Sequence, residues 1–375
     1  MKVLILYHSP WWNATAYYGV TLAYGLQKSG HEVWFGADNG VPASKKAEEM
    51  EIRTFDLDLK TSNPLKLISE VRKLTRFVRE NEIDIINTLS PQGHLFYFLA
   101  DLLFGLKIPL VRSCCDVREP KSNFLNKYLY RKKADWLIFP CLSNLERYYR
   151  RLSFSKEHAS VIYGAIDIKK YDSDQPEKIL KEKYKIGKEE FVVGNVARLS
   201  PEKGHKHFLH VAAKVAAKIK NVKFVIVGKE EQLSIKELQD IAVTLNIGNK
   251  VIFTGFLEDT RCVADEFDIG VITSRFSETI SRAALEYMTL AKPVVATDVN
   301  VLGEVIIDDL NGSIFDINDI KGMSDRIIYY IQNVDIRKNH GENGRKEAIG
   351  KYSLDKFVEN TISVFEKVLS KRNSK

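Results

Sequence analysis

Residues 191–204 read Phe191-Val192-Val193-Gly194-Asn195-Val196-Ala197-Arg198-Leu199-Ser200-Pro201-Glu202-Lys203-Gly204, an apolar run that passes into a turn holding two cations. A short, nearly unbroken apolar run bounded by polar residues predicts a strand buried on both faces, and Gly204 closes the turn ahead of a helical pattern. Arginine offers a planar fork of donors and lysine a point charge, a pairing suited to a diphosphate. In isolation, the same spacing also fits an ordinary solvated basic turn. Downstream the periodicity predicts helix 205–219, strand 222–227, helix 234–245, strands 250–253 and 269–273, helix 280–290 and strand 293–297.

Upstream, a polar, lysine-rich connector at roughly 169–190 separates this block from an earlier one of the same kind. Strands are expected at 3–7, 31–35, 83–87, 109–113 and 136–139, with helices over 20–30 and 64–81. In the latter, Leu65, Ile68, Val71, Leu74, Phe77 and Val78 follow the 3.6-residue period, opposite Lys66, Arg72, Lys73, Arg76 and Arg79. Strands alternating with helices imply parallel sheets covered on both faces. The prediction is α/β: two Rossmann-like, doubly wound domains facing across a cleft, with ligands at the carboxyl ends of the strands. Boundaries fall at 1–170 and 171–353, and a helix in 354–375 is expected to cross back to the first domain. A dinucleotide fingerprint is missing after the first strand, where the chain reads His8-Ser9-Pro10-Trp11-Trp12, and no Walker loop occurs.

A second segment sharpens the reading: Ser274-Arg275-Phe276-Ser277-Glu278-Thr279-Ile280-Ser281-Arg282-Ala283-Ala284-Leu285-Glu286 follows a strand and opens a helix. Amides at a helix N-terminus, here expected at Thr279, Ile280 and Ser281, suit an anion. Together the two segments resemble family 4 of the retaining glycosyltransferases, enzymes of the GT-B architecture. The likeness rests on Ala197-Arg198-Leu199 to Lys203-Gly204 and on the Glu278…Glu286 pair. Val227-Gly228, Phe253-Thr254-Gly255-Phe256, Pro293 to Asp298, Glu304 and Asn311-Gly312 agree with it, as do Gly30-His31-Glu32-Val33 and Tyr163 to Asp167.

The resemblance implies a metal-independent, retaining transferase that moves a sugar from a nucleoside-diphosphate sugar to a glycan or lipid-linked acceptor, with no cofactor. Arg198 and Lys203 would hold the diphosphate, the amides from Thr279 onward would bind the same phosphates, Glu278 the donor sugar and Glu286 the ribose. Three stations depart from the family's pattern. The usual glycine after the first glutamate is replaced, giving Glu278-Thr279-Ile280-Ser281. Of a Gly-Gly pair near the first strand only Gly19 stands, and where many members carry a histidine this chain has Leu89, so the polar active-site role passes to His94. The alternatives are an epimerase-like GT-B enzyme or a non-catalytic sugar-nucleotide-binding subunit.

The 375 residues are 45% hydrophobic and 28% charged, enough apolar content for two cores. Four cysteines without C-x-x-C spacing point to reduced thiols. The apolar start is too short for a secretory signal, and the stretch 95–111 is too interrupted for a bilayer span. The expected location is cytoplasmic. Of the net charge of +7, a surplus of +6 falls in residues 112–151, interleaved with Phe124, Tyr128, Tyr130, Trp136, Tyr148 and Tyr149. That mixture suits an anionic membrane face, which would make the protein peripheral on the inner side of the cytoplasmic membrane. No nucleic-acid-binding motif accompanies it.

Overall fold

The computed structural model describes residues 1–173, 176–276 and 278–373. Residues 174 and 175 of the connector and Ser277 of the second segment lie outside the described residues. The chain forms two units, Met1–Ala165 with Leu354–Lys375, and Ile166–Ser353. The crossing at 165 comes five residues before the boundary expected from composition. Its cause is local, since the Ile166 amide donates to the Tyr352 carbonyl at 2.9 Å and so ties residue 166 into the second unit.

The first unit holds strands β1 (Lys2–Leu6), β2 (Glu32–Ala37), β3 (Arg53–Asp56), β4 (Ile85–Thr88), β5 (Leu110–Ser113), β6 (Trp136–Phe139) and β7 (Ala159–Val161). The second holds β8 (Phe191–Val196), β9 (Val222–Val227), β10 (Val251–Gly255), β11 (Ile269–Ile272), β12 (Val294–Thr297) and β13 (Gly312–Phe315). All pairings are parallel, in the orders β3-β2-β1-β4-β5-β6-β7 and β10-β9-β8-β11-β12-β13. This is the expected doubly wound α/β architecture. Each sheet reverses direction once, between β1 and β4 and between β8 and β11, and at such a point loops from neighbouring strands leave in opposite directions and open a crevice. Central strands β1, β11 and β12 are buried almost throughout, which explains their continuous rather than alternating apolar pattern.

The final helix, Leu354–Asn373, belongs to the first unit and lies on the first helix, Ala14–Lys28. A Cβ at Gly25 would sit 2.3 Å from Val358 Cγ2, so glycine lets the two helices meet, and Tyr18 stands edge-on to Phe357 at 4.7 Å.

Several expectations need correction. The helix placed at 280–290 begins at Arg282, with Ser281 at its cap in a left-handed backbone conformation (φ 38°). On the helix Pro64–Glu80 only part of the apolar stripe is interior: Val71, Leu74 and Val78 are buried, whereas Leu65 is 81% exposed and Ile68 lies outside as well. Helices Ile320–Gln332 and Val334–Lys351 have no counterpart in the sequence expectations. The latter buries Arg337, His340, Gly341, Gly344 and Ala348, a face too polar and too small to show an apolar period. Arg112, counted above among surface bases, is fully buried in β5.

Candidate functional site

The site in the second unit forms where β8 and β11 end side by side. Gly194 of β8 pairs with Gly270 of β11. A Cβ on the first would meet the Phe267 ring at 2.0 Å, and one on the second the Tyr287 ring at 2.3 Å. The missing side chain at Gly194 admits Phe267 and that at Gly270 admits Tyr287, whose hydroxyl accepts the Val196 amide at 2.8 Å. The helix Arg282–Thr289 is thereby fastened to the end of β8, which fixes the neighbouring Glu286.

The turn after β8 is held at several points. Lys203 O accepts from Thr273 Oγ1 at 3.1 Å and Glu202 O from the Arg275 amide at 2.7 Å. Gly204 has φ 66°, and a Cβ there would stand 1.9 Å from Thr273 O, so only glycine lets the turn rest on the end of β11. His205, fully buried, holds the turn from beneath, with Nε2 2.9 Å from the Arg198 carbonyl. Because a carbonyl only accepts, Nε2 carries the proton. Burial pushes the pKa of this imidazole down to about 4, so it is neutral.

On this turn Arg198 pairs with Glu231, and both are about half exposed. Lys203 pairs with Glu278 in mostly buried surroundings, their side chains 18% and 9% exposed. Ser274 Oγ donates to the same Glu278 oxygen at 2.5 Å. Glu286, 3% exposed, accepts from Arg282 Nε at 2.6 Å and from Thr260 Oγ1 at 3.1 Å. Thr279, Ile280 and Ser281 form a buried bend before the helix rather than its first turn. The first-turn amides of the helix they lead into have no acceptor within it, as in any helix. Ser281 Oγ is buried at this cap without a protein partner.

The structure therefore brings Arg198, Lys203, Glu278, Glu286 and the 279–281 bend to the carboxyl edge of one sheet. Glu231, Thr260 and Tyr287, which support them, carry no signal in sequence spacing, because each bonds to a distant part of the chain. Ser274 and His205 lie close in sequence to Glu278 and Arg198, but residue type alone does not mark those contacts. Chemically the site offers two cations and a helix N-terminus for an anion. Its two carboxylates can accept hydroxyl hydrogen bonds.

Gly19 and His94 belong to the first unit. Gly19 lies inside the helix Ala14–Lys28, where a Cβ would meet Leu89 Cδ2 at 3.2 Å and Phe35 at 3.3 Å, so packing against Leu89 accounts for the glycine. His94 stands in the first turn of the helix Pro91–Phe104, capped by Ser90. It is 1% exposed, with its ring edge-on to Tyr130 at 5.3 Å. Burial first and the Arg112 charge second push its pKa down to about 3, so it is held neutral.

Comparison with known proteins bears on the family and the fold. A family model described as Glycosyl transferases group 1 matches residues 176–347, and one described as Glycosyltransferase Family 4 matches residues 15–170. The capsular polysaccharide biosynthesis glycosyltransferase CapM of Staphylococcus aureus is 22% identical over 344 residues, 87% of this chain and 89% of that protein. The putative glycosyltransferase EpsD of Bacillus subtilis is 27% identical over 308 residues, 78% of this chain and 79% of that protein. Among solved structures, Anabaena Alr3699/HepE in complex with UDP superposes with a TM-score of 0.86 at 21% identity, covering 98% of this chain and 100% of that one. That likeness shows the fold.

Proposed function

The chain belongs to the glycosyl transferases group 1, enzymes of the GT-B fold, and from that premise we propose that it transfers a sugar from a uridine-diphosphate sugar to a glycan or lipid-linked acceptor. The observation that carries this reading is the turn bearing Arg198 and Lys203 set beside Glu278 and the N-terminus of the helix Arg282–Thr289. The choice of uracil draws on the UDP and UDP-glucose complexes of the Anabaena protein. A glycan or lipid-linked acceptor draws on the polysaccharide relative CapM and on a structural neighbour described as a lipopolysaccharide outer core galactosyltransferase.

In the proposed reaction Arg198, Lys203 and the helix amides bind the diphosphate and stabilise the charge that develops as it leaves. Lys203 must then exchange Glu278 for a phosphate oxygen, which frees Glu278 to accept hydrogen bonds from the donor sugar. Glu286 binds the ribose, exchanging Arg282 or Thr260 for a ribose hydroxyl. The two cations and the helix dipole supply the positive charge without a metal ion, and the configuration of the transferred sugar is retained. Calorimetric titration with UDP, GDP and ADP tests the base, and release of UDP from UDP-sugars tests the residues. UDP should bind most tightly, and release should be lost in Arg198→Ala. Equal binding of all three, or an unchanged Arg198→Ala, would refute the reading.

Exposed Phe124, Leu125, Tyr128 and Tyr149 lie in the same stretch as exposed Lys121, Arg131, Lys132, Arg150 and Arg151, and this supports docking of the first unit on an anionic membrane. Among the described residues no helix is long and apolar enough to cross a membrane. Binding to vesicles containing anionic lipid should fall as salt rises. Indifference to such vesicles at low salt would exclude the docking.

A further inference from the structure

At the carboxyl ends of β4 and β5 four side chains, each no more than 1% exposed, carry polar atoms with no protein partner. These atoms are Asn87 Nδ2, Thr88 Oγ1, both ring nitrogens of His94, and Nε and Nη2 of Arg112. The cluster is tied together by its remaining bonds. Arg112 Nη1 donates to the carbonyls of Thr88 at 2.8 Å and Ser113 at 2.9 Å, and Ser113 Oγ donates to Asn87 Oδ1 at 2.9 Å.

Charge is the decisive feature. Among the described residues no carboxylate forms an ion pair with Arg112: Asp116, whose pKa its charge helps to lower, pairs instead with Arg118, and a guanidinium keeps its proton at any ordinary pH. Cys114, Tyr130 and Tyr148 stand nearest its charge, and burial raises all three pKa values, so none is an anion near neutrality. His94, held neutral, contributes one N–H. The unmatched atoms are thus almost all donors, gathered around a positive charge that touches the neutral Tyr130 hydroxyl and no carboxylate. Buried polar groups in native proteins are bonded and buried charges are paired, so such a set calls for a partner that accepts from several donors and carries negative charge. Water accepts but brings no charge.

We propose that this cluster binds a small monovalent anion of halide size, held by Arg112 Nε and Nη2 with Asn87, Thr88 and His94. The proposal does not depend on the function proposed above. Its effect is to hold the ends of β4 and β5 and the start of the helix Pro91–Phe104 in one arrangement.

The test uses the full chain with bromide as the probe. Crystals grown or soaked in sodium bromide should show an anomalous bromine peak within hydrogen-bonding reach of Arg112 Nε and Nη2. In solution, melting of the first unit in bromide should be compared with sodium gluconate at equal ionic strength. The transition should rise by about 3–6 °C per tenfold increase in bromide once the site fills. Arg112→Met should abolish that slope. If that variant does not fold, Thr88→Val, which keeps the volume and removes one donor, should shift the slope to higher bromide. Absence of the bromine peak, or identical melting in bromide and gluconate, overturns the proposal.

Discussion

Replacing Lys203 with methionine gives the second unit's site its most direct test, because stability and binding are then expected to respond differently to its two partners. Lys203 and Glu278 are largely buried together, so removing the cation strands a carboxylate with only the Ser274 hydroxyl to satisfy it. Removing one partner of a buried pair costs about 3–5 kcal/mol. The remaining Ser274 bond offsets about 1 kcal/mol of that, which leaves a loss of about 2–4 kcal/mol. For a unit of this size that corresponds to a fall of about 4–16 °C in the melting transition, read by circular dichroism without ligand. The double variant Lys203→Met/Glu278→Gln should regain much of the loss, since no charge is then stranded. Affinity for UDP separates the two residues. Lys203→Met should weaken it by about 10- to 100-fold through loss of a charge-assisted bond. Glu278→Gln should strengthen it, because the competitor for Lys203 is gone. A change of under about 2 °C in Lys203→Met, or a double variant as unstable as the two single losses summed, would refute the pairing.

Further outcomes follow from the same geometry. Gly204→Ala forces a left-handed backbone at about 1–2 kcal/mol and drives the turn off Thr273, so UDP binding should vanish in calorimetry while the first unit melts unchanged. Tyr287→Phe leaves the partly buried Val196 amide without its acceptor and should cost about 1–3 kcal/mol in thermal unfolding. His205, with a folded pKa of about 4 against 6.5 unfolded, takes up a proton on unfolding at pH values between the two. Stability contributed by the neutral ring is therefore complete above pH 6.5 and is lost on acidification, at about 1.4 kcal/mol per pH unit. His205→Gln should flatten the pH dependence of the second unit's unfolding over that window, as measured by urea titration.

The doubly wound fold and the cationic turn were legible because both are local. Buried parallel strands write continuous apolar runs, and Arg198, Lys203 and Gly204 sit within seven residues of one another. Most of what supports them is not local: Glu231, Tyr287 and Thr260 reach the site only through sheet order, which one sequence does not display. The helix Val334–Lys351 escaped notice because its interior face is built on glycines, one of which would place a Cβ 2.0 Å from Ala291 O. Arg112 misled in a different way. Its charge suggested surface, although the strand around it predicted interior, and the strand won. The helix expected from 280 starts later because Ser281 adopts φ 38°, a conformation that serine residues seldom show and spacing does not reveal.

The first unit is discontinuous, with its closing helix Leu354–Asn373 separated from the rest by the whole of Ile166–Ser353. On the ribosome this imposes an order. The first 165 residues emerge with the groove at Gly25 uncovered, and the intervening unit must be made before Phe357 and Val358 can fill it. At about 5–20 residues per second that interval is on the order of 10–40 s. A nascent chain of this protein therefore carries an apolar notch through most of its synthesis, a natural place for a chaperone to bind, and its second-made unit is the first able to finish folding.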